Sequence, residues 1–193
     1  MSDLPYVQDT QQVVITDKSA NEVSVTTVGQ ALVQNVPYYL SDNDKLFVLS
    51  SEPTTTLGTT ETALLLFKNP SGSSKQAKIR RIEFSNFSTS DSFIKFRLYK
   101  SPTVTTNGTS ITTSSLHIGG SAVAVITPFF LPVITANGIK LNAWNVGSYY
   151  HTLTLILNLD FELLLDNNNS LLITGQADGS NRSPVINIIW AEI

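Results

Sequence analysis

The chain has 193 residues, of which 14% are charged, with a formal net charge of −3, two histidines and no cysteine. Without cysteine there are no disulfide staples, no thiolate catalysis and no cysteine-ligated zinc. The 12 basic residues are scattered, which argues against the clustered basic face that nucleic acid requires.

From the amino terminus, the opening MSDLPYVQDTQQ has neither a positively charged start nor an apolar core, so no signal peptide is expected. Nor does any run approach the roughly 18 apolar residues that span a bilayer. The longest apolar stretch, residues 122–134, is broken by Pro128 and Pro132, so no membrane insertion is expected. Residues 1–56 hold short apolar pieces at 12–16, 23–28 and 45–49, separated by polar and proline-containing segments. Together these offer little surface to bury against one another, which suggests an arm or small β annex that needs a partner, with 50–60 as its linker. The other reading is that they supply the first strands of the domain that follows.

Residues 57–193 are punctuated regularly. Turn signals fall at Asn69-Pro70-Ser71-Gly72, 88–92, Asn107-Gly108, Gly119-Gly120, Asn137-Gly138, 166–169 and 178–180. Asn-Gly and Gly-Gly favour positive φ and permit tight reversals. Candidate strands lie between them at 62–68, 78–87, 93–99, 110–118, 122–127, 138–142, 151–161, 170–175 and 184–193. Alternation at period two puts Ile82 and Phe84 on one face, then Ile94, Phe96 and Leu98, then Leu153, Leu155, Leu157, Leu159 and Phe161. The last strand, PVINIIWAEI, is apolar on both faces and should lie centrally in a sheet or at a subunit contact. The expected fold is all-β, an antiparallel β-sandwich, and eight or nine strands suit a jelly roll better than a seven-strand sandwich.

Signals for chemistry are few. His117 and His151 have no metal-ligand spacing, and Asp160 and Glu162 are neighbours on one strand face with no sign of a cleft between them. The run Asp166-Asn167-Asn168-Asn169 lacks the spaced ligands of a calcium loop and reads as a turn built from Asx side chains. There is no Gly-x-Ser-x-Gly elbow and no phosphate-cradling loop. The expectation is a non-enzyme with no cofactor and no metal. Trp144-Asn145-Val146-Gly147-Ser148-Tyr149-Tyr150 reads as a loop that combines aromatic and amide groups. Such a loop suits sugar stacking and hydrogen bonding, and equally a sandwich corner or subunit contact.

The succession LLLFKNPSGSSKQAKIRRIEFSN, FRLYKSPTVTTNGTSIT, FFLPVITANGIKL and NNNSLLITGQADGSN resembles a group of jelly-roll virion proteins of tailed bacteriophages. In that group an NPSGS-x-K opening strand, an R-x-Y-x-NPTVT-x-NGT strand, a P-x-ITANG turn and a late NSLL-I-TG segment recur in this order. The match runs from about residue 62 to the end, with Ser101-Pro102 where Asn-Pro is usual. The resemblance implies a structural protein of the virion, made in the host cytoplasm and displayed as a head decoration or head fibre. It further implies a homotrimer whose extended N-terminal arm docks on the major capsid protein or another virion protein; the candidate anchoring residues are Tyr6, Val13, Val14, Ile15, Tyr38 and Tyr39. The alternative is a tail-associated module that binds a receptor or host surface glycan, with Asn107, Asn137, Trp144, Asn145, Tyr149 and Tyr150 as candidate contacts.

Overall fold

A computed structural model describes residues 45–51, 56–87, 92–148, 153–179 and 182–193, with the backbone of two short strands at 24–25 and 31–32; side chains at 87, 148 and 153–162 lie outside this description. Every regular element among the described residues is a β-strand. The chain divides into two compact units, Met1–Tyr39 and Leu40–Ile193. In the first, β1 (Ser24–Val25) pairs antiparallel with β2 (Ala31–Leu32).

The second unit carries thirteen strands in chain order: β3 (Leu46–Ser50), β4 (Thr62–Lys68), β5 (Ala77–Phe87), β6 (Ser92–Lys100), β7 (Thr103–Thr106), β8 (Thr109–Ser110), β9 (Ser114–Ser115), β10 (Thr127–Phe130), β11 (Val133–Ala136), β12 (Ile139–Ser148), β13 (Leu153–Leu165), β14 (Ser170–Ala177) and β15 (Ser183–Glu192). They form a six-stranded sheet in the order β12-β6-β14-β4-β10-β8, a five-stranded sheet in the order β13-β5-β15-β3-β9, and the two-stranded ribbon β11-β7, all antiparallel. The two large sheets pack face to face as an antiparallel β-sandwich.

Alternation determines what fills the gap between them. From β6, Ile94, Phe96 and Leu98 point inward, and from β5, Ile79, Ile82 and Phe84 do the same. Aromatic contacts bridge the sheets: Phe84 stacks on Phe96 with centroids 4.5 Å apart, and Phe67 of β4 meets Trp190 of β15 edge-on at 4.9 Å. Each such buried side chain contributes roughly 1.5–3 kcal/mol relative to exposure, so the register that keeps them inside is strongly selected. The apolar carboxy-terminal strand β15 lies between β5 and β3, a central position in its sheet, with Ile186, Ile188 and Trp190 buried and Val185, Asn187 and Ile189 half-buried on the other face.

Three expectations are revised. Residues 45–49 are not part of an arm: β3 pairs with β15 and buries Leu46, Phe47 and Leu49, so the sandwich begins well before residue 57. The reading in which early residues supply strands of the same domain holds for this segment. Residues 143–148 are not loop but the second half of β12, paired with β6 from Ala143↔Arg97 to Ser148↔Ser92. The pieces expected as full strands at 110–118 and 122–127 are instead two-residue pairings and irregular chain, ending in β10.

The two Asn-Gly dipeptides do not reverse the chain either. They kink a continuous ladder in which β6, β7 and β8 run antiparallel to β12, β11 and β10. Two eight-residue segments of one pattern, Ser101-Pro102-Thr103-Val104-Thr105-Thr106-Asn107-Gly108 and Leu131-Pro132-Val133-Ile134-Thr135-Ala136-Asn137-Gly138, face each other across it. Ser101 (φ 54°) and Leu131 (φ 51°) hold left-handed backbone before proline, where a side chain is strained, and Gly138 (φ 86°) and Gly108 (φ 89°) sit opposite them. A Cβ at Gly138 would collide with the Lys100 and Ser101 carbonyls, and one at Gly108 with those of Phe130 and Leu131. Only glycine lets the strands approach here. The kinked ladder leaves the six-stranded sheet at its β12-β6 edge and rejoins it at its β10-β8 edge, so that the β7-β11 ribbon crosses the outer face. Leu66 and Leu172, paired in register on that outer face, are fully buried.

Candidate functional site

What the ribbon leaves uncovered on the outer face is a groove along β6 and β14. Because Ile94, Phe96 and Leu98 point inward, the intervening Phe93, Lys95 and Arg97 must point outward. Pairing then places Gln176 beside Lys95 and Thr174 beside Arg97 from β14, and Gly147, Asn145 and Ala143 beside Phe93, Lys95 and Arg97 from β12. The groove holds about 420 Å³ and is lined by Thr59, Phe93, Lys95, Arg97, Gln176, Ala177 and Asp178. Phe93 is 44% exposed, a large aromatic at a position where the strand otherwise presents polar side chains.

The polar groups of the groove are held in place by one another. Arg97 donates through Nη2 to Gln176 Oε1 at 2.6 Å, and its Nη1 lies 3.3 Å from Glu61 Oε2. Gln176 in turn donates to the Thr59 carbonyl at 2.7 Å. Glu61 is a hub: its Oε1 accepts from Thr174 Oγ1 at 2.6 Å, Tyr99 OH at 2.9 Å and Asn137 Nδ2 at 3.3 Å. Burial, then the hydrogen bond to and the charge of Glu61, push the Tyr99 hydroxyl above its ordinary value. Asp178 closes the other end, accepting from the Phe93 amide at 3.1 Å and lying 3.4 Å from Arg182 Nε. Lys95 alone among the groove's charged side chains has no hydrogen bond or ion pair among the described residues.

A second groove of about 350 Å³ lies where β8 and β10 approach the end of β3, lined by Ser50, Ser51, Thr109, Ser110, Ile111, Thr112 and Phe130. It offers hydroxyls and apolar surface but no charge. Among the described residues no group of three or more His, Asp or Glu is placed to hold a metal ion. The run from Asp166 is a turn in which the Asn169 amide donates to the Asp166 carbonyl at 3.2 Å, with Asn168 at φ 62°.

The candidate contact residues are not gathered into one site. Tyr6, Val13, Val14, Ile15, Tyr38, Tyr39, Tyr149 and Tyr150 lie outside the described residues. Trp144 packs against the core, 5.6 Å from the Phe84 ring. Asn145, its neighbour on β12, is exposed and stands beside Lys95. Asn137 joins the Glu61 hub at one kink of the ribbon, while Asn107 belongs to the other kink. Phe93, Lys95, Arg97, Gln176 and Asp178 were not singled out in the sequence. The available signal was Phe93 itself, an aromatic on the polar side of an otherwise regular alternation. No protein-family model matches the chain, and no curated protein matches it.

Proposed function

We propose that the protein is a structural component of a bacteriophage virion, displayed on the capsid as a decoration or head-fibre protein, assembled as a homotrimer and attached to the major capsid protein or another virion protein through its N-terminal arm. The observation that carries this reading is that the segments bearing the resemblance, Ser101–Gly108 and Leu131–Gly138, have a demanding structural role. They are the paired kinks that steer the ribbon over the outer sheet face. Their Pro, Asn and Gly residues are therefore a signature of this particular strand routing rather than generic turn chemistry. Jelly-roll connectivity, expected from the same resemblance, is part of the proposal. The separation of residues 1–39 from the sandwich as a compact unit fits an attachment segment joined to a displayed domain.

Quantitative mass spectrometry of gradient-purified particles tests this reading. The protein is expected at a copy number in fixed ratio to the major capsid protein; its absence from particles purified from an infection in which the protein is made would contradict the proposal. A trimer is expected in light scattering as three times the 21.0 kDa chain mass at every concentration.

The outer-face groove favours a second role on the same particle, contact with a receptor or host surface glycan. An exposed aromatic beside fixed amide and charged groups is the usual makeup of a saccharide site.

A further inference from the structure

Resting on that second role, we infer that the groove between β6 and β14 binds an acidic saccharide, one carrying a carboxylate on a pyranose ring, with Phe93 as the stacking surface and Lys95 as the counter-charge. Three observations converge. First, Phe93 is 44% exposed on a strand whose inward side chains are buried. Its ring offers an apolar face beside Gly147, where β12 has no side chain to fill the space above the sheet. That is the shape needed by the C–H face of a sugar ring.

Second, the other charges lining the groove are already compensated. Arg97 lies against Glu61 and Gln176, and Asp178 is held by the Phe93 amide and Arg182. Among the described residues Lys95 remains as the groove's cation without an ion pair or hydrogen bond, so the groove favours an anion. A carboxylate on Lys95 would form a charge-assisted hydrogen bond in a half-enclosed setting. Third, the floor is preorganised: Gln176 is fixed at both ends of its amide, by Arg97 and by the Thr59 carbonyl. The exposed Asn145 beside Lys95 remains to meet ring hydroxyls. Little conformational freedom is lost on binding, which suits a weak site multiplied by a trimer and by many copies on one particle.

The test is an NMR or calorimetric titration of the full chain with hexuronic acid-containing oligosaccharides and with the same oligosaccharides after reduction of the carboxyl to a neutral alcohol. The uronate forms are expected to bind about tenfold more tightly than the reduced forms, the loss associated with one charge-assisted hydrogen bond. Lys95→Gln should erase that preference, Phe93→Ala should abolish binding of both, and Lys140→Gln, which changes a lysine outside the groove lining, should change neither. Phe93 is exposed, and Lys95 is half-buried with no hydrogen bond or ion pair among the described residues, so both variants are expected to melt within a few degrees of the parent. Equal affinity for uronate and neutral forms, lost in Phe93→Ala, would overturn the acidic specificity while leaving a glycan-contact role standing. Binding that survives Phe93→Ala would overturn the placement of the site. Absence of binding to any member of a broad saccharide panel would overturn both.

Discussion

At the residue scale, backbone conformation and a single half-buried hub carry the most weight. Gly138 has positive φ and faces the Lys100 and Ser101 carbonyls, so Gly138→Ala pays both a conformational and a steric penalty. A loss of about 1–3 kcal/mol is expected, read as a drop of several degrees in melting temperature; an unchanged melt would contradict the kink geometry. Tyr99 donates to Glu61, and its hydroxyl is held above the ordinary tyrosine value. The folded protein therefore keeps this proton at a pH where the unfolded chain has lost it. The resulting stabilisation is complete below about pH 10 and is lost as pH rises through the folded value. Tyr99→Phe should cost about 1–2 kcal/mol at neutral pH and should flatten the alkaline loss; melts of both proteins between pH 8 and 12 check this, and parallel curves would contradict it. Glu61 itself could not be picked out from the sequence. Its partners come from β6, β14 and the Asn137 kink, residues brought together only when the sheet forms and the ribbon crosses it.

At the element scale, strands with one clean face were legible and strands with special geometry were not. The alternation in β5 and β6 placed those strands to within a few residues, because a one-residue slip would exchange buried Ile, Leu and Phe for polar side chains; the leucine alternation at 153–161 marked β13, and the turn signals on either side marked β14. Phe84→Ala, which removes a ring stacked on Phe96 and packed near Trp144, should cost about 3–5 kcal/mol; a loss under 1 kcal/mol in denaturant melts would contradict its core position. Leu157 stands opposite Ile82 in the β13-β5 register, so Leu157→Asp is expected to abolish soluble expression. The kinked ladder misled the sequence reading because Asn-Gly usually marks a hairpin turn. Here the positive φ of the glycine meets a strained residue before proline on the opposite strand, a pairing visible only once the two eight-residue segments are aligned across the ladder. The groove was hidden for a related reason: its residues are the outward half of strands whose inward half had already explained the pattern.

At the scale of the whole molecule, the sandwich and the N-terminal segment make separable predictions. A chain starting at Leu40 keeps every strand of the two large sheets, whereas a chain starting at residue 51 loses β3, which lies between β15 and β9 and buries Leu46, Phe47 and Leu49. At roughly 1.5–3 kcal/mol per buried side chain, that loss is comparable to the 5–15 kcal/mol that holds a typical domain folded. The chain from Leu40 should melt within a few degrees of the full chain, and the chain from residue 51 should be largely unfolded; equal stability of the two would contradict the place of β3 in the core. The central claim, a virion protein attached through its N-terminal segment, is tested most directly by co-sedimentation with capsids that lack it, comparing the full chain with the chain from Leu40. The account predicts that the full chain pellets with the particles in a saturable, fixed ratio while the chain from Leu40 stays in the supernatant; a full chain that stays in solution, or a truncated chain that pellets equally well, would contradict it.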